Sequence, residues 1–129
     1  MNLFTAFKLE TYKVIVAGTR HFNNYALLSE KLEYYLSEKV KTHQVIIVSG
    51  TASGADILGC RYAAEHGLQI ELHLAHWSRQ GRAAGPIRNT DMAKCSDALI
   101  AFWDGKSPGT KSMIEIARLY GLRIAVVRY

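Results

Sequence analysis

The chain has 129 residues, of which 49% are hydrophobic and 21% charged, a composition that fits one globular domain and speaks against intrinsic disorder. No run approaches the roughly 18 apolar residues of a membrane span, and Cys60 and Cys95 stand far apart without a CxxC, so neither a disulfide framework nor a zinc motif is indicated. Lys and Arg total 16 against 11 for Asp and Glu, a net charge of +5 that favours an anionic partner such as a nucleotide, a nucleic acid or an acidic surface.

Residues 1–12 carry no signal-peptide layout and are expected to be an N-terminal extension of a single cytoplasmic domain spanning 1–129. Lys13 to Ala17 is a buried-strand run stopped by Gly18. Leu28, Leu32, Tyr35 and Leu36 then share one face of a helix, with Asn23 and Asn24 as caps. Val45 to Val48 is a second β-branched run, followed by a helix through Ile57, Leu58, Tyr62 and Ala63 that Gly67 stops. Gln69 to Ala75 alternates Ile70, Leu72 and Leu74 with polar residues, as in a strand with one open face. Pro86 opens a third helix running from Ile87 to Ser96. Asp97 to Trp103 is a fourth strand. Thr110 caps a last helix through Met113, Ala117 and Tyr120, Gly121 closes it, and Arg123 to Val127 is a fifth strand. Alternating β and α elements with Val/Ile-rich strands predict an α/β fold: a three-layer, doubly wound, Rossmann-like domain. Its five-stranded parallel sheet should run in the order 3-2-1-4-5, with the switch point between strands one and four.

In such a sheet ligands sit beyond the carboxyl ends of the strands, where helix N-termini present free N–H groups. The loops that reach that edge are Gly18-Thr19-Arg20, Ser49 to Asp56, Gly81 to Asn89 and Asp104 to Lys111. Each contains glycine, and all but Ser49 to Asp56 carry Arg or Lys. Glycine lets a backbone approach a phosphate closely, while hydroxyls, N–H groups and cations satisfy its oxygens. Gly18, Thr19, Arg20, Ser49, Gly50, Gly54, Asp56, Arg88, Asn89, Lys106, Gly109 and Thr110 are the candidate ligand-binding residues. The pocket is expected between the loops after strands one, two and four. No GxGxxG follows the first strand, and Gly105-Lys106-Ser107 lacks the upstream glycine of a phosphate loop, which disfavours a dinucleotide oxidoreductase and an ATPase.

Other residues have plainer readings. His73 and His76 should face opposite sides of a strand end, which makes a metal pair improbable, and no cofactor or metal is expected. Cys60 and Cys95 read as small core residues. Trp103 either floors the pocket or closes the core, and Trp77 is equally open. Asp56 reads first as a helix cap, and Arg118 and Arg128 as solvated surface charge. Phe22, Tyr25, Tyr34 and Tyr35 read as packing, while Tyr34, Tyr35, Tyr62 and Tyr120 also offer aromatic surface for a homodimer. Arg88 is expected in the first turn of its helix, paired with Asp91 or converging with that turn's N–H groups on an anion.

Lys13 to Arg20 (KVIVAGTR), Ser49 to Asp56 (SGTASGAD), Gly81 to Asn89 (GRAAGPIRN) and Asp97 to Thr110 (DALIAFWDGKSPGT) together resemble the YspA-like branch of the SLOG superfamily, related to cpYpsA and found in bacteria and phages. The resemblance implies a Rossmann-like fold that binds a nucleotide or nucleotide-derived ligand at the glycine-rich edge. The superfamily includes nucleoside monophosphate phosphoribohydrolases, whose signature is an Arg-Lys pair and a later GGxGTxxE. Arg88-Asn89 and Gly109-Thr110 stand at those places, but Met113 occupies the position of the glutamate. Glu115, Asp104, Asp91 and Asp56 are then the available carboxylates, with Glu115 about 200° round the helix from Met113. DNA-binding DprA proteins share the superfamily as well. The expected function is therefore binding of a nucleotide-like or phosphosugar ligand at the glycine-rich edge, in the role of a sensor. The alternatives are a phosphoribohydrolase-type nucleotide hydrolase, with Glu115 or Asp104 as catalytic carboxylates, and a single-stranded nucleic-acid binder.

Overall fold

The computed structural model describes residues 9–129; most of the expected extension, residues 1–8, lies outside the described residues. Strands β1 (Thr11–Gly18), β2 (Gln44–Ser49), β3 (Gln69–Leu72), β4 (Ala98–Trp103) and β5 (Arg123–Arg128) form one parallel sheet in the order β3-β2-β1-β4-β5. The helices between them are α1 (Tyr25–Leu36), the short α2 (Lys39–Thr42), α3 (Ala55–Glu65), the short α4 (Trp77–Gln80), α5 (Ala84–Cys95) and α6 (Pro108–Leu119). No helix among the described residues is long and apolar enough to cross a membrane.

The period of a strand, two residues, sorts β1 into both cores. Val14 and Val16 face α1 and α3 with Leu28, Leu32, Ile47 and Phe102, whereas Ile15 and Ala17 face α5 and α6 with Val48, Met92, Leu99 and Met113. Val14, Ile15 and Val16 are all fully buried, and each such side chain contributes roughly 1.5–3 kcal/mol relative to exposure. At the start of α1, Asn24 Oδ1 accepts the Leu27 N–H at 3.0 Å, the expected cap.

Several local expectations change. Tyr35, Ile57 and Tyr120 are 42%, 49% and 46% exposed, because each apolar helix face is narrower than its sequence pattern and ends at the neighbouring leucine or alanine. Tyr34 is exposed too, so only Phe22 and the half-buried Tyr25 act as packing, while Tyr62 is buried and offers no surface. Helix α5 begins at Ala84, ahead of Pro86, and is preceded by α4 and a 3-10 turn over Gly81–Ala83 where a loop was expected. Pro86 is tolerated there because the first turn of a helix leaves its N–H groups unbonded anyway. This places Arg88 in the second turn. Strand β3 stops at Leu72, and its outward side chains are the apolar ones: Leu72 and Leu74 are largely exposed while Glu71 and His73 are half-buried. The register explains this inversion, since Glu71 lies opposite Val48 on the side that faces α5.

Helix α3 meets β1 at Gly59, where an added Cβ would lie 2.8 Å from both Val16 Cβ and Cγ1. Alanine in place of glycine within a helix normally stabilises by roughly 0.5–1 kcal/mol, but overpacking a core costs about 1–3 kcal/mol. Gly59→Ala is therefore expected to lower stability by about 1–2 kcal/mol in urea denaturation; a gain would show that α3 can lift off the sheet at no cost.

Candidate functional site

The carboxyl edge of the sheet opens into a cleft of about 290 Å³ where strand order reverses between β1 and β4. Its floor is Ala17 and Gly18 at the end of β1, and its walls come from the starts of α3 and α6 and from α5. A second chamber of about 380 Å³ adjoins it over the β2–α3 loop and shares Arg20, Ala52, Trp77 and Arg88. The pocket thus lies among the expected loops, but α5 supplies a whole wall that the loop-based reading had not given it.

Backbone contact between loops sets the shape. Gly54 has φ +81°, and a Cβ there would collide with the carbonyl oxygen of Thr19 and come within 2.6 Å of that of Arg20. Only glycine allows the β2–α3 loop to lie directly on the β1–α1 loop. Thr51 adopts φ 65° without being glycine, a conformation that costs on the order of 1 kcal/mol or more. It is held by its N–H donating to Ser49 Oγ at 3.1 Å, while that fully buried hydroxyl donates onward to the Asp56 carbonyl at 3.3 Å. Ser49 therefore builds the loop, and Gly50 and Thr51 line the second chamber.

Asp56 is 4% exposed, and it occupies the second position of α3, after the N-cap Gly54. It is not the expected N-cap; its Oδ2 instead accepts the Ala52 N–H at 3.3 Å, bracing the loop ahead of the helix. Burial lifts its carboxyl to about 6, against the opposing pull of that N–H and of the Arg88 charge. Arg88 Nη1 donates to the Gly50 carbonyl at 2.7 Å, and its Nε donates to Asn89 Oδ1 at 3.3 Å. Burial lowers the Arg88 pKa, Asp56 raises it, and Arg20 lowers it further. Of the two partners expected for Arg88, Asp91 is not used: the guanidinium is drawn to the Gly50 carbonyl, and Asp91 stays exposed on an outer groove. Two guanidinium groups, on Arg20 and Arg88, thus converge on one cleft.

The start of α6 forms the remaining wall. Asp104 Oδ1 accepts the N–H groups of Lys106 and Ser107, each at 2.8 Å, and those bonds hold its carboxyl below the usual range. The Asp104 N–H donates in turn to Oγ1 of the buried Thr19 at 3.2 Å, and Trp103 Nε1 donates to the Ser107 carbonyl at 3.0 Å. Trp103 therefore anchors the loop and, half-buried, packs against the core on the α5–α6 side of the sheet; it does not floor the cleft. Arg128, read as solvated charge, lies over the Trp103 ring at 5.2 Å and against Gly105. Ser107 makes no side-chain cap, so the first turn of α6 at Gly109 and Thr110 presents uncapped N–H groups at the cleft wall. Lys106 and Glu115 are exposed and line neither chamber; Glu115 instead approaches Lys111 at 4.0 Å on the outer face of α6. Among the described residues that line the cleft, Asp56 alone carries a carboxylate. The residue the sequence underplayed is Trp77: half-exposed on α4, it borders both chambers, and its ring lies 3.2 Å from where a Cβ on Gly85 would stand.

Asp56 has a measurable pH signature. Its folded-state pKa of about 6 lies above the ordinary 3.8, so the folded protein keeps this proton where the unfolded chain has lost it. Its contribution to stability falls as pH rises through that window, by about 3 kcal/mol in all. Asp56→Asn cannot ionise, so the stability of the variant relative to wild type should rise by up to about 3 kcal/mol between roughly pH 4 and pH 8. Chemical denaturation at a series of pH values measures this, and a difference that stays flat with pH would place the charged carboxylate in a solvated setting.

Comparison with known proteins accords with this architecture. The chain is 29% identical over 118 residues to the Gene 61 protein of Mycobacterium phage D29, covering 87% of this chain and 93% of that one. Its fold is similar to the X-ray structure of DNA processing protein A (DprA) from Streptococcus pneumoniae, with a TM-score of 0.68 over 97% of this chain at 18% identity. The chain spans about half of that structure, 52% of its length, and the likeness is one of fold. The YAcAr family, described as the YspA, cpYpsA-related SLOG family, matches residues 12–80, which hold β1, the Gly54 loop crossing, Asp56 and Trp77, and the chain belongs to that family.

Proposed function

We propose that the two-chambered cleft binds a nucleotide or a nucleotide-derived phosphosugar. The observation that carries the reading is the convergence of Arg20 and Arg88 beside the uncapped start of α6, on a cleft floored by glycine backbone. Two guanidinium groups and a set of free N–H groups around one space suit a phosphate, which accepts bidentate bonds from arginine. The adjoining chamber and the Trp77 ring provide a flat apolar surface for a base or sugar. A volume of about 290 Å³ with a second chamber of about 380 Å³ lies in the range of small-ligand sites.

The carboxylates argue for binding over hydrolysis. Glycosidic cleavage needs a carboxylate at the ribose to steady positive charge or activate water. Asp104 is committed to two N–H groups and Glu115 faces away, which leaves Asp56 alone, deep in the wall and tied to Ala52. The likeness in fold to a DNA-processing protein makes a single strand the second candidate for the same arginines, and an oligonucleotide belongs in the same assay.

Titration calorimetry with adenosine 5′-monophosphate, ribose 5-phosphate, inorganic phosphate and a short oligothymidylate tests the proposal. The nucleotide should bind more tightly than inorganic phosphate. Arg20 is exposed and makes no side-chain bond among the described residues, so Arg20→Ala should weaken nucleotide binding at least tenfold, about 1.4 kcal/mol, with an unchanged melting temperature. Arg88→Ala should weaken binding as much and also cost about 1–3 kcal/mol of stability, because its charged bond to the Gly50 carbonyl is lost. Unchanged nucleotide affinity in Arg20→Ala would remove the phosphate from this cleft. Oligonucleotide binding that is tighter, with a steep salt dependence, would favour the strand over the mononucleotide.

A further inference from the structure

At the far end of α5 from the cleft, a second cluster of chemically active side chains forms under the edge of the sheet. Cys95 closes α5, and Glu71 and His73 point towards it from β3 and the residue after it. We propose that Glu71, His73 and Cys95 form a binding site for a divalent transition metal of the Zn²⁺ class, with a further coordination position open to solvent.

The geometry is that of converging ligands. His73 Nε2 lies 2.7 Å from Glu71 Oε2, Cys95 Sγ lies 3.4 Å from the same oxygen, and Sγ lies 3.9 Å from the same Nε2. Bond lengths of about 2.3 Å to sulfur and about 2.0–2.1 Å to nitrogen and oxygen, at tetrahedral angles, require donor atoms roughly 3.3–3.5 Å apart. The three observed separations bracket that range, so a metal ion needs the His73–Glu71 pair to open by about 0.6 Å and the Cys95–His73 pair to close by about 0.4 Å, shifts that side-chain rotation supplies.

The same atoms argue against a nucleophilic triad. A relay through histidine uses its two ring nitrogens on opposite partners. Here the carboxylate and the sulfur both address Nε2, so the imidazole has no second nitrogen between thiol and acid. A plain ion pair does not account for the cluster either, because Glu71 already has a cation. Lys13 Nζ holds the other carboxylate oxygen, Oε1, at 2.7 Å. That division leaves Oε2 aimed at His73 and Cys95, the way an outer hydrogen bond orients a ligating carboxylate. A set of one sulfur, one nitrogen and one oxygen donor suits zinc and its neighbours and does not suit magnesium or calcium. Cys95 binds as the thiolate, its proton passing to water. The Glu71 and His73 side chains keep 36% and 23% of their exposure, which leaves room for an ion to enter and for a water as fourth ligand.

This also revises the sequence reading of Cys95 as a core residue, since Cys95 is half-buried and its sulfur faces His73 and Glu71. The partners of His73 are two and twenty-two residues away and meet only through the β3 register and the length of α5.

Cobalt(II) titration of the full-length protein without a histidine tag tests the site, since a cobalt–thiolate bond gives an intense charge-transfer absorption. One equivalent should produce that band in wild type and in Cys60→Ser, and Zn²⁺ should abolish it by displacement. Cys95→Ser, a one-atom change, should lose the band, and Glu71→Gln and His73→Ala should weaken binding at least tenfold, as the loss of even an outer-shell partner does. Zn²⁺ should also slow alkylation of Cys95 in the wild-type protein, a readout that needs no variant to fold. Absence of the band in wild type, its loss in Cys60→Ser, or unchanged cobalt affinity in a folded His73→Ala or Glu71→Gln would overturn the proposal.

Discussion

The bond from the Arg88 guanidinium to the Gly50 carbonyl ties the loop after β2 to the second turn of α5, and the shape of the cleft depends on it. Helix α5 packs against the sheet through Met92 and Ala93, and its first half rises over the carboxyl edge. Arg88 lines both chambers, so the anchored side chain forms part of the wall between them. The anchor also fixes a positive charge where burial opposes it, with Asp56 as the compensating anion. Arg20 adds a second positive charge at the cleft that has no ion-pair partner among the described residues.

Around that anchor the loops are held by side chains bonded to the backbone of neighbouring loops. Ser49 satisfies Thr51 and Asp56, Asp104 satisfies Lys106 and Ser107, and Thr19 satisfies Asp104. These hydroxyls and carboxylates position backbone. Apart from the Asp56 carboxylate, the charged groups at the cleft among the described residues are two guanidinium groups, set beside main-chain N–H and glycine surface, a lining suited to holding an anion. The strain at Thr51 and the close backbone crossing at Gly54 belong to the same design: a rigid edge whose donors are in place before a ligand arrives.

Much of this was legible in the sequence, for a physical reason. Parallel strands buried on both faces must be near-continuous runs of Val, Ile and Leu, and the connecting helices must carry an apolar stripe, so β1, β2 and β4 follow from pattern, while the order of the sheet came from analogy with half of a Rossmann sheet. The glycine-rich loops at the carboxyl edge are equally local features. What was not legible depended on contacts between distant residues. The partner of Arg88 is Gly50, 38 positions away, and the nearer Asp91, one of the two partners the sequence offered, is not used. Trp77 gained its place only because α4 and the turn at Gly81–Ala83 fold back over Gly85. In β3 the alternation was read correctly but its faces were reversed, because an edge strand need not bury its apolar side, and Glu71 is drawn inward by Lys13.

The central claim is that the carboxyl edge between β1 and β4 is the place where a phosphate-bearing ligand sits. Amide chemical-shift mapping on the nitrogen-15-labelled protein during titration with adenosine 5′-monophosphate tests it most directly. The account predicts that the largest shifts fall on Gly18, Arg20, Gly109 and Thr110, with the Trp77 indole following. Shifts centred instead on the exposed tyrosines of α1 or on β3, or no shifts at saturating nucleotide, would contradict it.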